Sequence, residues 1–176
     1  MERNVDMTEI SDGKRYTSND LAKLGCGDCA GCSKCCHGMG ESITLDPYDI
    51  YNLTINLKMT FNELLAESLG LSVKDMIILP HLNLKAEGEG CLFLDENGRC
   101  SIHSFRPGIC RLFPLGRIYE NESFSYFLQI NECVKQNRTK VKIKKWLGIP
   151  NLAAYENYIN TWHYFLKNMK AFLEEQ

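Results

Sequence analysis

Cys26-Gly27-Asp28-Cys29-Ala30-Gly31-Cys32-Ser33-Lys34-Cys35-Cys36 packs five cysteines into eleven residues and constrains everything around it. Three successive Cys-x-x-Cys spacings end in an adjacent cysteine pair. Two residues between cysteines let a tight turn aim both sulfurs at one metal ion. Gly25, Gly27, Gly31, Gly38 and Gly40 lie in or beside the run, so the backbone can fold tightly and turn amides toward sulfur. A constant interval of three, kept over four cysteines and followed at once by a fifth, is a poor match to chance or to a lone redox pair.

The rest of the chain supports metal rather than disulfide chemistry. With 176 residues, 44% of them hydrophobic, it can build a core without covalent staples. Its nine cysteines are an odd number, which a fully paired disulfide framework does not give. The first residues, Met1 to Met7, are polar and charged and lack the apolar region of a secretory signal. No stretch approaches the roughly 20 apolar residues that span a bilayer. The expectation is a cytoplasmic protein with no membrane association, whose thiolates are free to bind metal. A net charge of −2 makes no general case for nucleic acid.

Beyond the run, Asp46 before Pro47 predicts an N-cap and a first helical turn, with Ile50 and Leu53 facing inward. Thr60-Phe61-Asn62-Glu63 reads as a capping box for a helix through Leu64, Leu65 and Leu69 that stops at Gly70. Met76 to Leu79 and His81 to Lys85 read as short strands. Asn97-Gly98, between the apolar runs at Cys91 and Cys100, predicts a hairpin. A loop over 95–98 sets Leu94 opposite Arg99 and Phe93 opposite Cys100. A two-residue loop shifts the pairing, yet either register leaves Cys91 and Cys100 on one face.

Ser104 reads as the cap of a short helical turn carrying Cys110, and residues 117–133 as one or two strands. Leu152, Tyr155, Ile159, Trp162, Leu166, Met169 and Leu173 alternate at three and four. They form the apolar seam of one long C-terminal helix, which packs on the preceding domain or, as an alternative, on a second chain. The fold class is therefore α+β. The expected organisation is a polar arm over 1–24, a cysteine-cluster metal domain over 25–137, and a basic stretch with the helix over 138–176.

The metal ligands are drawn from Cys26, Cys29, Cys32, Cys35, Cys36, Cys91, Cys100, Cys110 and Cys133. A single zinc takes four, so the surplus of soft thiolates favours one or two iron–sulfur clusters of the [4Fe-4S] type, with Zn2+ as the alternative. Spacing alone gives Cys133 no role beyond a small buried apolar residue. Adjacent Cys35 and Cys36 point in different directions and can serve different metals. The run is also similar to the ferredoxin pattern, although the Cys-Pro that closes that pattern is missing. Arg106 and Arg111 are candidate cofactor contacts, because a guanidinium offsets thiolate charge. Arg117 is a third arginine in the neighbourhood. Bracing of the turn before Pro107 is the competing role for Arg106.

His37, His81, His103 and His163 read as ordinary surface or core residues beside so many thiolates. Asp28, Glu41, Asp46 and Asp49 surround the run without a spacing that argues acid–base catalysis. Arg138, Lys140, Lys142, Lys144 and Lys145 read as a solvated basic strand face rather than a nucleic-acid site. No P-loop, nucleophile elbow, dinucleotide fingerprint or His-Glu-x-x-His motif is present.

The combination Cys29-x2-Cys32-x2-Cys35-Cys36, Cys91-Leu-Phe-Leu, and Cys100-Ser-Ile-His-Ser-Phe-Arg106-Pro107-Gly-Ile-Cys110-Arg111-Leu-Phe-Pro114 resembles the YkgJ-type cysteine-cluster family, also described as a CxxCxxCC zinc- or iron-chelating domain. The resemblance implies that Cys29, Cys32, Cys35, Cys36, Cys91, Cys100, Cys110 and Cys133 are ligand candidates, and leaves Cys26 outside the pattern. It raises Cys133 above its reading from spacing. A related cysteine arrangement occurs in flagellin lysine methylases, so the resemblance also admits redox or methyl-transfer chemistry with a protein or electron partner.

Overall fold

The computed structural model describes residues 6–27, 29, 32–85 and 90–176; Asp28 and Gly31 of the cysteine run fall outside these. In chain order the helices are α1 (Met7–Ile10), α2 (Pro47–Leu57), α3 (Phe61–Glu67), α4 (Gly108–Leu112), α5 (Ile143–Leu147) and α6 (Leu152–Glu174). The strands are β1 (Leu21–Gly25), β2 (Leu69–Lys74), β3 (Ile77–Leu82), β4 (Leu115–Glu120), β5 (Ser123–Leu128) and β6 (Thr139–Lys142). They form three two-stranded antiparallel sheets, β1–β6, β2–β3 and β4–β5. An α+β fold with a long C-terminal helix results. The chain divides into two compact units, Gly27–Arg111 and a second made of Met1–Cys26 with Leu112–Gln176. No described helix is long and apolar enough to cross a membrane.

In the Gly27–Arg111 unit, local sequence sets both helix starts. Asp46 accepts from the Asp49 amide at 2.8 Å while Asp49 accepts from the Asp46 amide, and Pro47 occupies the first turn of α2. Thr60 and Glu63 exchange the same two bonds at α3. Leu53, fully buried, joins Ile43, Leu45, Leu64, Leu69, Leu82 and Ile102 in one core, with Ile50 packed against it. The end of α3 departs from the sequence expectation. The helix stops at Glu67, and Leu69 and Gly70 open β2. Gly70 lies opposite His81, whose ring sits where a Cβ would stand, 2.6 Å away.

The β2–β3 turn is made by Asp75 and Met76, both at positive φ (49° and 65°), so it carries no glycine to announce it. One strand, Ile77–Leu82, replaces the two short strands expected there.

The other unit is built on remote pairings. β1 alternates exposed and buried residues and sends Ala22 and Leu24 into a core with Leu115, Tyr126, Leu128, Ile143 and Leu147. Residues 21–25 are thus a strand, where the polar composition around them suggested an arm. Their partner β6 lies more than a hundred residues away, beyond any local signal. Tyr16 exchanges two backbone hydrogen bonds with Tyr126, both 2.9 Å, extending the β4–β5 hairpin on its β5 side.

α6 covers this hairpin with Tyr155 and Ile159, and His163 stacks on Tyr119 with ring centroids 3.6 Å apart. The Arg117 guanidinium lies among the rings of Phe124, Tyr126 and Tyr155, 5.5–5.9 Å from their centroids. The seam is buried only over its first half. Six-residue strands extend about 20 Å, whereas a 23-residue helix extends about 35 Å. Trp162, Leu166, Met169 and Leu173 are accordingly only half-buried, and Phe165 and Phe172, off the seam, are exposed.

Gly116 lies directly opposite Phe127, and a Cβ there would collide with the buried ring. Gly116→Ala is expected to destabilise this unit by about 1–3 kcal/mol through overpacking, read as a lower urea midpoint at unchanged m-value.

Candidate metal centre

The cysteine run supplies its last members from a single turn of 3-10 helix, Lys34–Cys36, closed by a 2.8 Å bond from the Cys36 amide to the Ser33 carbonyl. Upstream, the Cys32 amide donates to the Cys29 carbonyl at 3.0 Å. The Cys36 carbonyl then accepts from the Cys91 amide at 2.8 Å, so the run is tied directly to the second cysteine segment.

That segment is a turn rather than a ladder. The Asp95 carboxylate accepts from the amides of Asn97 and Arg99 at 2.9 and 2.8 Å, and the Asp95 amide donates to the Arg99 carbonyl. This clamp lengthens the loop by one residue, with Gly98 at φ +69°, and places Leu94 rather than Phe93 opposite Cys100. The register differs from both sequence expectations because a side-chain carboxylate, not the Asn-Gly pair alone, closes the turn.

Cys110 arrives on α4. Its position depends on Asp49, a buried carboxylate that accepts from the Gly108 amide at 2.8 Å while also serving the α2 capping box. The preceding 3-10 turn spans His103–Phe105, so Ser104 lies inside it rather than capping it. Sequence reading places Asp49 only among acidic residues near the run. The Asp46–Asp49 spacing signals the local cap, but a bond to a residue 59 positions away has no local trace.

Packing sets Cys91, Cys100 and Cys110 against one apolar core, and the Cys36–Cys91 backbone bond ties the run to that segment. Burial pushes the Cys110 thiol up, and the nearby charges of Asp49, Cys91, Cys100 and Cys35 add to the effect. Burial likewise raises Cys91 and Cys100. Cys36 donates to Cys35, which raises Cys36 and lowers Cys35, and Cys36 also feels Cys100 and Cys110. Opposing these increases, the Phe93 amide hydrogen-bonds the Cys91 sulfur and the Ile102 amide the Cys100 sulfur. Such amide–sulfur bonds stabilise a thiolate once it forms and tune a bound metal.

Among the described residues, no three His, Cys, Asp or Glu side chains surround one point closely enough to hold an ion as they stand. The sulfurs share a neighbourhood without a closed coordination sphere. The donor chemistry still fits a thiophilic metal. Thiols kept neutral by burial lose their protons to an arriving cation, and closure of such sites is coupled to binding.

Arg106 donates to the His103 carbonyl at 2.7 Å, and its charge favours the thiolate at Cys35 and Cys100. Arg111 donates to the Arg106 carbonyl at 3.0 Å and to the Ser104 carbonyl, bracing the turn that carries Cys110. The bracing at both arginines runs through backbone carbonyls. Cys29 and Cys32 lie in the same Gly27–Arg111 unit as the five clustered thiols. Cys26 and Cys133 belong to the other unit. Of the histidines, His37 hydrogen-bonds the Ser33 carbonyl through Nδ1 at 2.8 Å, and His81 is buried beside the Leu82 carbonyl.

The family model "CxxCxxCC: Putative zinc- or iron-chelating domain" matches residues 28–145. No solved structure matches the chain.

Asp49→Ala is expected to lower stability by about 1–3 kcal/mol, since it removes a cap and leaves the Gly108 amide unpaired. Asp46→Ala, which removes the cap and leaves the Gly108 amide paired with Asp49, is expected to cost about 1 kcal/mol. Urea unfolding of the two variants, with Asp49→Ala the less stable, checks the Asp49–Gly108 tie.

Proposed function

The chain belongs to the CxxCxxCC family described as a zinc- or iron-chelating domain, and from that premise we propose that it holds an iron–sulfur cluster serving redox or group-transfer chemistry. The observation that carries the proposal is that Cys91, Cys100 and Cys110 pack against one apolar core, while the Cys91 amide bonds the Cys36 carbonyl at 2.8 Å and so ties the Cys35-Cys36 pair to them. Five soft donors exceed the four that one zinc ion takes, and thiolate-rich sets suit iron–sulfur centres. Cys29 and Cys32, on the same unit, add to the supply. Cys26 and Cys133 are ligand candidates that this donor set does not require.

When bound, such a cluster supplies one-electron transfer or a platform for group transfer. The chain's own residues have separable tasks. The Phe93 and Ile102 amides hold negative charge on two sulfurs. Arg106 offsets that charge, which raises the potential of an anionic centre. Arg111 holds the turn before Cys110 in place. Leu53, Ile102 and their core neighbours keep one side of the thiols away from water.

Anaerobic purification followed by visible absorption and analysis of iron, sulfide and zinc tests the proposal. A brown protein with matched iron and sulfide is expected. Stoichiometric zinc without sulfide would replace the cluster by a structural zinc site with four thiolate ligands. Cys100→Ser, Cys110→Ser and Cys32→Ser are each expected to lose most of the metal and to unfold at lower temperature, because metal affinity and folding share one free energy.

A further inference from the structure

The basic stretch before α5 is not used by the metal centre, and one part of it borders a cavity. A pocket of about 480 Å³ opens in the unit made of Met1–Cys26 and Leu112–Gln176. Lys23 on β1 forms one wall, and the loop from Asn131 to Arg138 forms the rest, Cys133 included. Three cations line it, Lys23, Lys135 and Arg138, and no carboxylate does.

Two charge features beside this pocket are unfavourable as they stand. The Arg138 Nη1 atom is buried without a hydrogen-bond partner. A buried charged donor left unpaired is costly, and the cost is removed by an acceptor. In addition, the β1–β6 register sets Lys23 directly opposite Lys140, and like charges in that position repel. Among the described residues, none of these four cations has an ion-pair partner.

A negatively charged occupant offsets the mutual repulsion of Lys23, Lys135 and Arg138, which line the space together. The guanidinium fork matches two oxygens of one phosphate or carboxylate group, and the lysines contribute charge without fixed direction. Asn131 and Asn137, both at positive φ, bracket the loop that lines the same space. The volume exceeds that of a bare inorganic ion and falls in the range of small-ligand sites.

We propose that this pocket binds a small organic oxyanion, a phosphate ester or a carboxylic acid in its ionised form, with Arg138, Lys23 and Lys135 as the lining charges. The proposal takes Cys133 as a wall of this pocket and not as a metal ligand, and does not depend on the other cysteines.

Isothermal titration of the purified full chain with pyrophosphate and with citrate, at constant ionic strength, tests it. One saturable site for at least one probe is expected; pyrophosphate alone assigns a phosphate ligand, citrate alone a carboxylate. Arg138→Gln and, separately, Lys135→Gln are each expected to weaken binding about tenfold, as loss of a charge-assisted bond requires. Both should keep the wild-type circular dichroism and metal content, so loss of the anion site is read apart from loss of the metal centre. No saturable heat with either probe overturns the proposal, as does wild-type affinity in both folded variants. A single-stranded oligonucleotide that binds about tenfold more tightly than both probes would overturn it in favour of nucleic acid.

Discussion

Soft sulfur donors can meet a metal only if backbone that is remote in sequence is brought together, and here that is done by two hydrogen bonds. The Cys91 amide binds the Cys36 carbonyl, joining the cysteine run to the segment 55 residues on. The Asp49 carboxylate binds the Gly108 amide and sets the start of the helix that bears Cys110. Each bond contributes on the order of 1–3 kcal/mol, but its larger effect is geometric. Closing such long loops costs entropy whether or not metal is present. A small apolar core around Leu53, Leu64 and Ile102 offsets that cost before any ligand is engaged.

Burial and charge pull in opposite directions at the thiols. The core that gathers Cys91, Cys100 and Cys110 also removes them from water and holds them neutral. Two amides and Arg106 act the other way, favouring the thiolate where it is needed. A site so balanced responds strongly to a cation, which supplies what burial withholds. That balance separates these cysteines from inert buried thiols, whose surroundings offer no compensation.

The Met1–Cys26 and Leu112–Gln176 unit follows a different logic. Its helix α6 and its two sheets are ordinary amphipathic packing around Tyr126 and Leu147, with Arg117 sheathed in aromatic rings. Its electrostatics are less balanced. Lys23 faces Lys140, and Arg138 buries an unpaired nitrogen, features that packing alone does not account for.

The sequence alone determined the elements whose causes are local. The Asp46-Pro47 and Thr60-Glu63 caps, the long seam of α6 and the Cys-x-x-Cys interval are each written within a few residues, because helix caps and metal-binding turns are short-range geometry. Tertiary structure decided what depends on distant partners. It made Leu21–Gly25 a strand, ended α3 before Leu69, shifted the turn at Asp95 by one residue, and recruited Asp49 to hold α4. Turns at Asp75-Met76 and Asn121-Glu122 adopt positive φ at both residues without glycine, so a single Asp or Asn is all that marks each in the composition. Which thiols lie near one another was likewise decided only when the chain closed on itself, since spacing names donors but long-range contacts choose among them.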